Sequence, residues 1–403
     1  MVGRQPRGRQ ARPAGAVKIL HVVASYLPAV RYGGTIVSVH GLCKALAARG
    51  HDVHVFTTSV DGPGDSPVRH GEPVDLDGVS VWYFPSRWLR RLYGSPPLGR
   101  ALEARAGGFD VVHTHAVFLW PLWAAARAAQ RAGVPYVMSP RGMLEKALID
   151  RKSRVFKTAW IALVEKQNLR HAAAVHVTSA REAAELAALG FDLPPVVEVP
   201  NGVDVETATA TPGAVDPAIR AIADGAPYVL FLGRVSWKKG LDRLIRAMPY
   251  MSSDLRVVIA GNDEERLRPS LQAQANQLEV GGRVVFTGAV GGKEKQALLG
   301  GARLLVLPSY SENFGNVVVE AMAAGCAVVV TPEVGIAPAV EAAGAGWVVD
   351  GDPATLGARL AELCADGALR QAMGQRGRTT AQKEFSWDRV AERMESAYRT
   401  ILR

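Results

Sequence analysis

Apolar runs of four to eight residues recur from residue 17 onward, each closed by a turn signal and most followed by helical spacing. Val17–Ala24, Asp52–Thr58, Val79–Phe84, Phe109–Thr114, Val134–Ser139, Val175–Thr178 and Val196–Val199 are predicted strands. Thr35–Arg49, stopped by Gly50, and Glu145–His171 are predicted helices, and the Gly-, Pro- and Asp-rich stretch Asp61–Asp77 is predicted loop. The alternation then restarts. Tyr228–Leu232, Leu255–Ala260, Val284–Thr287, Leu304–Leu307 and Cys326–Val330 read as strands, with helices at Lys239–Tyr250 and Val317–Ala324 among them. Strands alternating with helices throughout predict α/β architecture: mostly parallel sheets covered on both faces.

Two such series imply two domains, and 403 residues suffice for two cores. Pro200-Asn201-Gly202-Val203-Asp204 is turn chemistry, and the Thr-, Ala-, Pro- and Gly-rich run up to Pro217 reads as a linker. The expected organisation is a disordered basic tail at 1–16, a first doubly wound domain at 17–205, a linker at 206–226, a second domain at 227–380 and terminal helix at 381–403. Two doubly wound domains joined by a linker suggest a cleft suited to two substrates. The first βαβ unit lacks G-x-G-x-x-G, which argues against a nicotinamide or flavin dinucleotide there.

Composition narrows the class. Hydrophobic residues at 48% and charged residues at 21% describe a globular chain. Cys43, Cys326 and Cys364 are far apart, so neither a metal spacing nor a disulfide framework follows, and a reducing cytoplasm is expected. Arg4, Arg7, Arg9 and Arg12 precede no apolar core of a secretory signal, and the longest apolar run, Ala116–Ala126, is far short of a membrane span. The net charge of +9 is unevenly placed: residues 1–200 hold 25 Lys and Arg against 15 Asp and Glu, while 201–403 hold 22 against 23. An acidic partner for the first half follows, whether nucleic acid, anionic membrane or acidic substrate. Arg87–Tyr93 and the cluster Arg151, Lys152, Arg154 and Lys157 interleave cations with large apolar residues. They read either as membrane-surface segments or as cations snorkelling over their own core, and the charge asymmetry favours the first. No nucleic-acid-binding motif is present.

The candidate chemistry concentrates in Arg303–Thr331. Its loop, Ser309–Asn316, carries Glu312, then Gly315 before a helix that carries Glu320. Two carboxylates beside a helix start, at the carboxyl ends of parallel strands, suit a ligand with both hydroxyls and phosphates, which describes a sugar nucleotide. The bland alternative is one loop charge and one solvated helix residue. Arg234 and Lys239 bracket another strand-to-helix loop, Gly233–Gly240. Cations there oppose the positive dipole end of the helix, which a bound anion explains. Gly33-Gly34, after the first strand, permit close backbone approach to a phosphate or simply form a turn. His113 and His115 end a strand. A metal reading lacks any further ligand cluster in the sequence, and a structural histidine is the plain alternative. Asn201 reads as a turn former.

Taken whole, S-E-x-F-G-x-x-x-x-E-A-M-A-x-G at Ser311–Gly325 resembles the E-x7-E signature of retaining glycosyltransferases of the GT-B fold, family GT4. Gly233–Gly240 is similar to that family's G-R-x4-K-G, and the resemblance spans nearly all of 17–403. It implies a GT-B fold of two Rossmann-like domains facing across a cleft, with the final helix packing back on the first domain. It implies a nucleoside-diphosphate-sugar donor, UDP- or GDP-linked, and a glycan or lipid-linked acceptor. Glu312 would orient the sugar, Arg234 and Lys239 would meet the diphosphate, Phe314 and Gly315 would hold a sugar hydroxyl or the β-phosphate through their N–H groups, and Asn316 would line the donor site beside them. Glu320 would bind the ribose hydroxyls, Gly33 and Gly34 would form the family's glycine loop, and His115 would touch the donor sugar. No metal and no cofactor are expected. Asn313 stands where many relatives carry Gly, and Ala327 where many carry Pro. The rival readings are a GT-B epimerase or phosphorylase, or a non-catalytic binding protein at the membrane.

Overall fold

A computed structural model describes residues 15–29, 33–145, 154–205 and 215–403. Most of the basic tail, Tyr32, Arg151, Lys152, the side chain of Arg154 and residues 206–214 of the expected linker lie outside the described residues. The chain forms two compact units. One runs to Val177 and adds Glu185–Val197 and Ala391–Arg403; the other comprises Thr178–Ala184 and Glu198–Val390.

The first unit is built on strands β1 (Lys18–Ser25), β2 (Asp52–Thr58), the short antiparallel pair β3 (Val60–Asp61) and β4 (Gly64–Asp65), β5 (Val74–Leu76), β6 (Val79–Phe84), β7 (Val111–His115), β8 (Tyr136–Ser139), β9 (Ala174–Val177) and β10 (Val196–Glu198). The main sheet has the order β10-β9-β8-β7-β1-β2-β6-β5. β1 pairs in parallel with β2 and β7, and the edge strand β5 runs antiparallel to β6. Ile19 and Leu20, neighbours that face opposite sides of the sheet, are both fully buried, so helices cover both faces.

The second unit carries β11 (Tyr228–Leu232), β12 (Arg256–Ala260), β13 (Val284–Gly288), β14 (Leu304–Leu307), β15 (Val328–Val330) and β16 (Gly346–Val348), in the order β13-β12-β11-β14-β15-β16, all parallel. The order reverses between β11 and β14, a topological switch point where doubly wound sheets open a crevice at the strands' carboxyl ends. The loops leaving these two strands are the ones expected to carry the chemistry.

In the basic-aromatic stretch Arg87–Tyr93, Arg90–Leu92 forms one tight turn between Leu89 and Tyr93, both in left-handed backbone, with φ of 44° and 58°. Two local expectations need correction. Asp61–Asp77 is not all loop, because Gly64–Asp65 and Val74–Leu76 form the short strands β4 and β5 within it. Pro217–Ala223, inside the stretch read as linker, is a helix capped by Asp216 and anchored through Ile219 to the second unit's core.

Candidate active site

In the second unit, the loops after β11 and β14 are locked together. The Tyr310 N–H donates to the Lys238 carbonyl (2.7 Å), and the Arg243 guanidinium stacks on the Tyr310 ring at 3.7 Å. Gly240 adopts φ 66°, and a side chain there would meet the Pro308 carbonyl at 1.9 Å, so only glycine lets the two loops approach. Gly315 has φ 103° and lies against Val334 and Ile336, turning the chain into the helix Asn316–Ala323.

This frame brings Glu312 onto Lys239. The Lys239 ammonium donates to Glu312 Oε2, and the side chains are only 17% (Glu312) and 13% (Lys239) exposed. The glutamate's backbone is fixed on both sides: its N–H donates to the Glu333 carbonyl (3.1 Å) and its carbonyl accepts from Gly335 (2.8 Å). Burial pushes the Glu312 carboxyl up, but Lys239, Lys238 and Arg234 outweigh that, and the group is held below the ordinary glutamate value. It is a part-buried carboxylate kept ionised by surrounding cations. Arg234 is half-exposed, with Glu264 at 3.9 Å.

Phe314 is buried edge-on to Phe385, and its carbonyl accepts from Ile336 (2.9 Å). The Asn316 side-chain oxygen accepts from Asn201 Nδ2 (2.9 Å), so Asn201 does more than form a turn: it ties the first residue of the helix down. Glu320, one helical stretch on, pairs with Lys295 at 3.0 Å. A carboxylate has several lone pairs to offer, so this pairing leaves Glu320 capacity to accept two hydroxyls. Nothing about a helix lysine distinguishes Lys295 in the sequence, and Asn201 was hidden behind its turn-forming propensity.

Gly33, Gly34 and His115 belong to the first unit. Gly33 has φ 75° and open space around it, immediately before the helix Gly34–Ala48. His115 lies in a more enclosed setting. It is fully buried, its Nδ1 accepts from Arg141 (3.1 Å), and its Nε2 meets His21 Nδ1 (2.8 Å). A sugar hydroxyl could reach it only by displacing one of these partners.

The sequence also showed no third ligand near the two histidines, whereas the strand register places His21 directly beside His113. The ligand atoms of His21, His113 and His115 lie within 4.8 Å of one another. Arg141 can only donate, so the His115 proton sits on Nε2 and is passed as a hydrogen bond to His21. His113 in turn contacts the Tyr398 hydroxyl (2.7 Å) and His176 (3.3 Å). Burial holds His21 down at about 3 and His113 and His115 well below the usual histidine range. A guanidinium against one ring disfavours a metal cation, and the arrangement is a network of neutral imidazoles.

Residues 33–202 match the family described as Glycosyl transferase 4-like domain, and residues 215–380 match Glycosyl transferases group 1. A D-inositol 3-phosphate glycosyltransferase of Xylanimonas cellulosilytica is 30% identical over 392 residues, covering 91% of each chain. The chain belongs to the group 1 glycosyltransferases. Its fold agrees. Sucrose-phosphate synthase from Thermosynechococcus elongatus aligns with a TM-score of 0.74 at 23% identity, covering 96% of this chain and 99% of that one. Anabaena HepE in complex with UDP and glucose aligns at 0.73 and 20%, covering 95% and 100%. The GT-B fold follows from these structures, and glycosyl transfer from membership of the group 1 glycosyltransferases. Among the described residues no helix is long and apolar enough to cross a membrane.

Proposed function

We propose that this glycosyltransferase retains anomeric configuration, works without a metal ion, and moves a hexose from a UDP- or GDP-linked donor to a glycan or lipid-linked acceptor. Assembly of a bacterial cell-surface polysaccharide or glycolipid, at the cytoplasmic face of the membrane, is the setting that suits it. The observation that carries this reading is the part-buried Glu312–Lys239 pair, with Arg234 nearby, at the switch point of the second sheet. A departing nucleoside diphosphate gains negative charge, and fixed Lys239 and Arg234 stabilise that charge without a metal. Glu312, ionised and immobile, orients the transferred sugar through its hydroxyls. The N–H groups at the start of the helix Asn316–Ala323 face the β-phosphate, and Glu320 takes the ribose hydroxyls. The acceptor attacks from the face the diphosphate leaves, and a β-phosphate oxygen takes its proton.

For the first unit, the cationic excess and the half-exposed Trp88 and Leu89 beside Arg87, Arg90 and Arg91 support contact with anionic headgroups or an acidic acceptor. The test is nucleoside diphosphate release from a panel of UDP- and GDP-sugars, with lipid extract, oligosaccharides or D-inositol 3-phosphate as acceptors. One donor is expected to be consumed, giving a product with the donor's anomeric configuration by NMR. Release that required added divalent metal, or an inverted product, would overturn the corresponding part. No release from any donor would favour a binding protein.

A further inference from the structure

Asn313, next to Glu312 in the chain, is bound by a segment remote in sequence. Thr178–Ala184 directly follow β9 yet belong to the second unit. Their order, Ser179-x-x-Glu182, is a capping box, and Ser179 Oγ accepts from the Glu182 N–H (3.2 Å). Capping a helix needs no more than that. Here the same groups reach further. Glu182 Oε2 accepts from the Thr178 N–H (2.8 Å), the Thr178 hydroxyl (3.0 Å) and Asn313 Nδ2 (3.2 Å). Asn313 Nδ2 also donates to Thr178 Oγ1 (2.8 Å), and the Ser179 hydroxyl donates to the Asn313 carbonyl (2.9 Å). Thr178, Ser179 and Glu182 are all at most 3% exposed, so these bonds form where water does not compete.

The loop is thus gripped on two sides. Backbone pairing with Glu333, Gly335 and Ile336 holds one side, and the buried side chains hold the other through Asn313. We infer that Glu182 and Asn313 are positioning residues for Glu312: a buried clamp that sets the carboxylate against Lys239 and the donor sugar. This rests on the reading of Glu312 given above. Misplacing a reacting group by about 1 Å can slow a reaction by about 10²-fold, so a clamp of this kind acts on turnover rather than on donor affinity.

The test is a pair of substitutions with reciprocal polarity. Asn313→Asp sets a carboxylate against Glu182. The expected result is a fall of roughly tenfold in kcat with donor KM changed less than about threefold, measured on the UDP- or GDP-sugar that the wild type turns over best. Adding Glu182→Gln supplies an amide donor to the new carboxylate and should return kcat to within about threefold of wild type. A residue serving only the cap would not show that rescue. Wild-type kcat in Asn313→Asp overturns the inference, as does an unrescued double variant that melts like wild type. If Asn313→Asp does not fold, Asn313→Ala gives the same reading, with a lowered kcat expected and an unaltered one contradicting. Glu312→Ala, assayed beside them, separates the two levels. Unaltered turnover there removes the reading of Glu312 itself. An inactive Glu312→Ala with an indifferent Asn313→Asp removes only the clamp.

Discussion

In the first unit four histidines meet against β1, β7 and β9, and three of them are held neutral by burial; in the second, a glutamate and a lysine meet beyond β11 and β14 and stay charged. Both sites lie where parallel strands place polar side chains in a buried setting, yet they meet the cost of burial differently. An imidazole avoids the desolvation cost by giving up its proton, and then needs only hydrogen bonds. A carboxylate keeps its charge only if cations outweigh burial, and for Glu312 Lys239, Lys238 and Arg234 contribute to that. Two of those three cations lie on the face expected to meet a diphosphate. The neutral network is therefore suited to holding a fold, and the charged cluster to meeting charge that develops during a reaction.

The contrast breaks most visibly in acid. An unfolded histidine protonates near 6.5, whereas His21, His113 and His115 resist until much lower pH, with His21 near 3. Their lowered values make the folded state favoured above about 6.5 and progressively less so as pH falls. Three such groups approach a slope of roughly 4 kcal/mol per pH unit well below 6.5, and lose about 4 kcal/mol in total between pH 7.0 and 5.5. Urea midpoints at pH 7.0 and 5.5 check this: a steep loss is expected, reduced by about a third in His21→Phe, and a flat profile contradicts it.

Next in size, Lys239→Ala should lower donor-saturated turnover about 10²-fold, because the diphosphate loses its fixed cation. Steady-state kinetics on protein shown folded by circular dichroism measures it. For Glu320→Ala the effect should fall on donor KM, raised about tenfold with kcat nearly kept, since a ribose anchor contributes equally before and during reaction. Calorimetry with UDP and GDP would show the same loss without any acceptor. The smallest change belongs to the neutral network. Tyr398→Phe removes the hydroxyl partner of a buried His113 nitrogen and should destabilise by about 1–3 kcal/mol while leaving turnover alone. A change in kcat there would mean that the histidines take part in the chemistry.

Much of this was legible in the sequence, for physical reasons that differ by residue. Strands such as Asp52–Thr58, Val79–Phe84 and Tyr228–Leu232 were read to their ends, the first by its alternation and the last as a continuous apolar run of the kind a strand buried on both faces needs. Gly240 and Gly315 were visible as punctuation, though the sequence did not show that one makes room for Pro308 and the other for Val334. The His21–His113 pairing was not legible, since register between strands about ninety residues apart is a tertiary fact. Glu182 was within reach as the last letter of a capping box, yet its bond to Asn313 spans 131 residues. The backbone of Arg87–Tyr93 was not legible, since nothing in a basic-aromatic string marks Leu89 and Tyr93 for left-handed backbone.

The central claim is that the charged pair beyond β11 and β14 stands at the chemistry. Donor-saturated turnover of Glu312→Ala, on protein with the wild-type far-ultraviolet spectrum, tests it most directly. A loss of about 10²-fold or more is predicted, and wild-type turnover would contradict it.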